Sequence, residues 1–203
     1  MRVVVLFSGG KDSAYAVHYA QQQGYDVACL LSVVSKNKES YMYHTLNIEE
    51  CPEQAKAMGL KLYALETEGV KEEEVGDLMV MLEYLKEKEG IKGIVSGALA
   101  SEYQKTRIER VCYELGLASI APLWHVDPEL YMRAVIDAGF DARIVGVFAD
   151  GLDKTWIGKK IDGVTLQKLK KLKIHIAGEG GEYETFVVDG PRFKEKLEWT
   201  DSK

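Results

Sequence analysis

The chain opens on an apolar, β-branched run at residues 3–7, the kind that fills a parallel strand covered on both faces. Polarity then breaks in at Ser8-Gly9-Gly10-Lys11-Asp12-Ser13. A helical period follows over 11–23, with Gly24 as a left-handed stop. Residues 26–34 read as a second strand, 48–58 as a helix closed by Gly59, and 61–65 as a third strand. The spacing predicts a long charged helix over 71–89, a fourth strand over 93–96, and a helix over 101–115 ended by Gly116. The polar, aromatic stretch 35–47 reads as a loop. Strands alternating with helices predict an α/β fold, a Rossmann-like parallel sheet flanked by helices.

The rhythm changes after Pro122. A helix over 127–138 and an apolar stretch over 142–149 keep an α/β character, but glycines and charges dominate beyond them. A boundary is expected near residue 120, dividing a sheet domain (1–120) from a smaller C-terminal α+β lobe (121–203). No internal repeat or low-complexity segment interrupts either part.

Composition narrows the function classes. A length of 203 residues suits one large or two small domains, enough to bury a sizeable core. The formal net charge of −6 speaks against a surface that grips a nucleic-acid backbone. No apolar run reaches membrane-spanning length, and the first residues lack a signal-peptide pattern, so no membrane attachment is expected. Cys29, Cys51 and Cys112 have neither disulfide-framework nor zinc-ligand spacing, which suits a reducing cytoplasm. Two asparagines among many lysines and glutamates lean towards a heat-loving source.

Three polar clusters carry the chemistry. A strand, a Gly-containing turn and a helix start together make an anion site, because backbone N–H groups converge at the positive end of the helix dipole. Ser8 and Ser13 add hydroxyls and Lys11 a mobile charge. The spacing is not that of a Walker A loop, since Gly9 and Gly10 are adjacent and Asp12 follows Lys11. Asp12 in such a place either organises the turn or helps to hold a metal. Spacing alone also admits a plain strand-to-helix turn.

In the helix over 101–115, Ile108, Val111, Cys112 and Leu115 form the buried stripe. Ser101 and Gln104 fall on that face nearer the N-terminus, where open α/β sheets bind ligands; Arg107 lies at its flank and Arg110 points away. Gln104 either touches a ligand or bonds neighbouring backbone. The third cluster, GEGGEYET at 178–185, makes no sense as core. Extended, it sets Glu182 and Glu184 on one face and Tyr183 on the other. By spacing it is a solvated acidic hairpin or a wall that orients a cation, with Tyr183 able to meet a quaternary ammonium. His18, His125 and His175 read as structural.

SGGKDS after such a strand resembles the pyrophosphate loop of the N-type ATP pyrophosphatases, which have an adenine nucleotide alpha hydrolase-like fold and split ATP between its α and β phosphates. SYMYH, SEYQKTRIERVCYELGL, PLW, GLDKTWIG and GEGGEYETFVVDGP follow in order across nearly the whole chain. Together these resemble the diphthine–ammonia ligase family of the PP-loop superfamily. Larger eukaryotic relatives carry an added C-terminal region, so the likeness is to the short archaeal form.

The resemblance implies an AMP-forming ligase that amidates the diphthine carboxylate of elongation factor two through an acyl-adenylate, with ATP as co-substrate, Mg²⁺ as cofactor and ammonium as nitrogen source. It implies ATP contacts at Ser8, Gly9, Gly10, Lys11, Asp12 and Ser13, at Leu30, Leu31, Ser32, Met42 and His44, and at Gly97 and Ser101. Catalytic roles would fall to Lys11, Asp12, Gln104 and Arg107, with Asp12 as the metal ligand. Glu179, Gly180, Gly181, Glu182, Tyr183, Glu184 and Thr185 would face the diphthine side. The C-terminal lobe is then the substrate-binding one, no direct nucleic-acid contact is expected, and a homodimer is compatible. The rivals are a PP-loop tRNA-modifying enzyme, which calls for basic surface and often paired cysteines, and a non-catalytic ATP-binding protein.

Overall fold

The computed structural model describes residues 1–36, 48–70 and 73–198. Five parallel strands, β1 (Arg2–Leu6), β2 (Asp26–Ser35), β3 (Leu62–Thr67), β4 (Gly93–Val95) and β5 (Ala118–Ile120), lie in the order β3-β2-β1-β4-β5. Helices α1 (Lys11–Gln22), α2 (Cys51–Met58), α3 (Glu73–Glu89) and α4 (Glu102–Leu115) join them, so the flanked Rossmann-like sheet predicted from the alternation is present. Side-chain alternation along β1 sets the layers. Val3 and Val5 pack with α1 and α2, whereas Val4 packs with α3 and α4. All three valines are fully buried, which explains the uninterrupted apolar run.

The second half adds α5 (Pro128–Asp137), β6 (Asp141–Val147), α6 (Gly163–Leu169) and β7 (Tyr183–Asp189), with β6 and β7 antiparallel. This is the smaller α+β lobe. Its inner face shares one continuous core with the sheet: Tyr131, Met132, Phe140, Ile144 and Val187 cluster with Ala14, Val17, Cys51 and Ala55. On its outer face Val145, Phe186 and Val188 make a small cluster of their own. Beyond β7 the chain returns to the first half, where Lys194 N–H bonds the Ala57 carbonyl at 2.7 Å.

Several elements depart from the predicted pattern. β5 is only three residues long, too short to show a period. α6 was hidden among glycines and lysines; it starts at Asp162, whose carboxylate accepts the Thr165 N–H at 2.8 Å. The segment 48–58 divides into a 3-10 turn, Ile48–Glu50, and α2, because Pro52 fits only the first turn of a helix. Among the described residues no helix is long and apolar enough to cross a membrane.

The strand order reverses between β1 and β4, so the loops leaving their carboxyl ends diverge and open a crevice there. Gly97, just after β4, lies so near the start of α1 that a Cβ would come 2.7 Å from the backbone carbon of Asp12. Only glycine permits that approach.

Candidate active site

A cavity of about 460 Å³ fills this crevice. Its apolar end is lined by Leu31, Val33 and Ile48, its floor by Ser8 and Gly10 to Ser13, and one side by Ser96, Gly97, Ser101 and Gln104. The opposite side comes from the C-terminal lobe: Gly178, Glu179, Gly181, Tyr183, Glu184 and Thr185. The three polar clusters, far apart in sequence, thus meet around one cavity.

The floor is a turn held by its own hydroxyls. Ser13 Oγ accepts the Ser8 N–H at 3.2 Å and donates to the Gly10 carbonyl at 3.1 Å. Gly9 sits at φ 80°, in the left-handed region, and Gly10 is the extended N-cap of α1. Lys11 N–H bonds Thr185 Oγ1 at 3.1 Å. The helix supplies no partner for the next two N–H groups, those of Asp12 and Ser13, so donors and dipole remain for an anion.

Lys11 differs from the mobile charge expected of it. Its side chain is 3% exposed, and Nζ donates to the Ala177 carbonyl at 2.5 Å and to Asp12 Oδ2 at 3.1 Å. The ammonium also lies 5.6 Å from the centre of the Tyr183 ring. It fastens the floor to the lobe. Asp12 is held from the other side by Tyr131, whose hydroxyl donates to Oδ1 at 2.6 Å. Burial first, then the Asp12 charge, raises the Tyr131 phenol well above its ordinary value, so it stays a donor. Tyr183 is raised likewise by burial and by Asp12, and its hydroxyl donates to the Ile176 carbonyl at 2.6 Å.

The two glutamates expected to share a face are split by the start of β7. Glu182 precedes the strand, and its carboxylate turns back to accept the N–H groups of His175 (2.9 Å) and Gly180 (2.8 Å). It ties the glycine turn, while Glu179 and Glu184 line the cavity. Glu179 reaches across to accept the Ala100 N–H at 2.9 Å. Burial pushes its carboxyl up, against the pull of that bond, and the nearby Asp12 charge adds to the rise.

On the α4 side, Ser101 caps the helix, with Oγ facing the Gln104 N–H at 3.4 Å. Ser101 and Gln104 are on the wall, but Arg107 is not: its guanidinium stacks 3.4 Å from the centre of the Tyr103 ring. Arg110 pairs with Glu114 at 2.9 Å, away from the site. Among the other expected contacts, Gly97 and Leu31 line the cavity, whereas Gly9, Leu30, Gly180 and Glu182 do not. Nor does Ser32, which donates to the Phe7 carbonyl at 2.7 Å. Met42 and His44 lie outside the described residues.

Sequence reasoning missed Tyr131, the Ala177 carbonyl and Gln54. The last is fully buried on α2 and donates from Nε2 to the carbonyls of Gly9 (2.9 Å) and Val187 (2.7 Å). A signal for it existed: a polar residue three after Cys51 and four before Met58 sits in an apolar stripe.

Among the described residues no group of three or more His, Cys, Asp or Glu side chains could hold a metal ion by itself, and on the cavity floor Asp12 offers one carboxylate. Mg²⁺ takes one or two carboxylates and leaves its other positions to phosphate and water. Asp12 already accepts two donors, yet each carboxylate oxygen has a second lone pair. All three cysteines are buried, which pushes their thiols up to about 12 for Cys29 and about 11 for Cys51 and Cys112.

Comparison with known proteins agrees over nearly the whole chain. The family model for the diphthamide synthase N-terminal domain matches residues 1–119, and that for the diphthamide synthase C-terminal domain matches 127–203. A rat (Rattus norvegicus) protein named diphthine–ammonia ligase is 39% identical over 97% of this chain and 82% of its own length. A Schizosaccharomyces pombe protein of that name is 32% identical over the full chain, which spans 37% of the longer yeast protein. Among solved structures, a predicted subunit of tRNA methyltransferase from Methanocaldococcus jannaschii superposes with a TM-score of 0.52 at 19% identity, covering 97% of this chain and 100% of the other. That likeness is one of fold alone.

Proposed function

Because the chain belongs to the diphthamide synthase family, we propose that it amidates diphthine on elongation factor two at the expense of ATP, the closing step of diphthamide synthesis. One observation carries this reading: the anion-binding floor at 8–13 and the acidic segment 178–185 line a single cavity.

Carboxylates resist ammonia, so the diphthine carboxyl must first be activated. Its oxygen attacks the α-phosphorus of ATP, the bond to the β,γ-diphosphate breaks, and an acyl-adenylate forms. Ammonia then adds to the acyl carbon and expels AMP, leaving the amide. The floor supplies what the first step needs, because the N–H groups of Asp12 and Ser13 at the head of α1 oppose the charge that grows on departing pyrophosphate. Asp12 would hold Mg²⁺, which would share that neutralisation.

Leu31, Val33 and Ile48 suit the adenine ring at the apolar end. Ser101 and Gln104 approach the reacting centre from the opposite side, and Arg107 has no part in this reading. Glu179 and Glu184 meet the trimethylammonium group of diphthine as fixed negative charge. No general base is required, because unprotonated ammonia is a nucleophile once placed. The buried, raised thiols favour free ammonium over a glutaminase reaction as its source.

The test is to incubate the protein with ATP, Mg²⁺, ammonium and diphthine-bearing elongation factor two, then resolve the nucleotides and weigh the factor. AMP, pyrophosphate and a mass change from carboxylic acid to amide are expected. ADP as product, a requirement for tRNA, or ATP bound without turnover would each contradict it.

A further inference from the structure

Gln54 is fully buried, yet half of its amide goes unused. Its Nε2 serves two carbonyls, those of Gly9 and Val187, and this fixes which end is nitrogen, since a reversed amide would set oxygen against oxygen. Oε1 has no hydrogen-bond donor among the described residues, and it sits so near the turn that a Cβ on Gly9 would come within 2.5 Å of it. An unpaired buried acceptor costs stability, and native chains keep that cost chiefly where function needs the geometry. Gln54 does not line the cavity, so its effect passes through the loop it holds.

That effect falls on one peptide. Among the described residues no peptide bond is cis, and across a trans peptide the carbonyl and the following N–H point opposite ways. The Gly9 carbonyl is drawn to the rear by two donors, Gln54 Nε2 and the Val187 N–H at 3.0 Å. The N–H of Gly10, a residue of the cavity floor, therefore turns forward. With glycine on both sides, the backbone itself does little to stop this peptide rotating. Rotated, it would show an anion a carbonyl oxygen in place of a donor.

We propose that Gln54 is a positioning residue: it locks the Gly9–Gly10 peptide with its N–H towards the cavity and so sets the affinity for the pyrophosphate part of the nucleotide. This rests on reading 8–13 as the phosphate cradle. The same amide holds the Val187 carbonyl of β7, so this side chain joins Lys11 in tying the cradle to the C-terminal lobe.

The full chain is compared as wild type, Gln54→Met (similar length, no donor) and Gln54→Glu (an acceptor where a donor was). Each is titrated calorimetrically with magnesium pyrophosphate and with AMP, and its thermal unfolding is recorded. Pyrophosphate should bind Gln54→Met about tenfold to a hundredfold more weakly and Gln54→Glu more weakly still, with AMP affinity unchanged. A merely structural role would move both ligands together. Unchanged pyrophosphate affinity in folded Gln54→Met overturns the proposal and spares the cradle; a wild type that ignores pyrophosphate overturns both. Wild-type protein labelled with ¹⁵N-glycine gives a check that needs no variant, because the Gly10 amide should shift strongly with pyrophosphate. An unmoved Gly10 signal overturns the proposal.

Discussion

Replacing Gly97 by alanine tests how closely the two diverging loops are packed at the switch point. The new Cβ would lie 2.7 Å from the Asp12 backbone carbon, 2.8 Å from its carbonyl oxygen and 3.0 Å from the Ser13 nitrogen. All three atoms are backbone of the first turn of α1, so no side chain can rotate away. Ordinary contact begins at 3.4 Å, and the loops must part by about 0.7 Å. Overpacking of this kind costs about 1–3 kcal/mol, which lowers Tm by about 2–12 °C in a chain of this size. A shift approaching 1 Å at an anion cradle costs up to about a hundredfold in rate. The assay pairs thermal melting with kcat/KM for ATP, and Gly76→Ala is the control. Gly76 lies inside α3 with open space where its Cβ would be, so alanine there should stabilise by about 0.5–1 kcal/mol. Opposite signs from the same substitution are expected. Gly97→Ala melting and turning over like wild type would refute the reasoning.

Tyr131→Phe removes a buried hydrogen bond to a carboxylate and should cost about 1.5–3 kcal/mol in urea unfolding; an unchanged midpoint would count against the Asp12 clamp. Glu179 has its carboxyl raised mainly by burial, so the folded state holds that proton to higher pH than the unfolded chain, and its charge destabilises at neutral pH. Glu179→Gln should therefore raise Tm at neutral pH, with the gain fading in acid once both states are protonated, while KM for the protein substrate worsens. A Tm gain that persists unchanged in acid would contradict this. The native protein should resist iodoacetamide at Cys29, Cys51 and Cys112 under mildly alkaline conditions and react at all three once unfolded, as mass spectrometry would show.

The sheet was legible because its strands and helices repeat a period, and the glycines after them mark the stops. Val3 to Val5 announced a strand covered on both faces, and Gly59 and Gly116 do close α2 and α4 in the left-handed conformation. β5 and α6 were too short to declare a period. The polar clusters could be recognised singly, but their meeting depends on contacts over 174 residues in the Lys11–Thr185 bond and 133 in the Gln54–Val187 bond, which no local pattern encodes. Lys11 shows the limit best. Beside a phosphate loop a lysine reads as a charge for the ligand, yet here a backbone carbonyl and a neighbouring carboxylate from the protein itself occupy it. Glu182 likewise looked like a partner of Glu184 until the start of β7 turned it towards its own backbone.

Activation of the substrate carboxylate at the α-phosphorus is the step on which the proposed amidation depends. Diphthine-bearing elongation factor two with oxygen-18 in that carboxyl group, turned over once with ATP and ammonium, tests this most directly. One of the two labelled oxygens should leave in the phosphate of AMP and the other stay in the amide, with none in pyrophosphate. Label in inorganic phosphate beside ADP, or retained wholly in the factor, would contradict it.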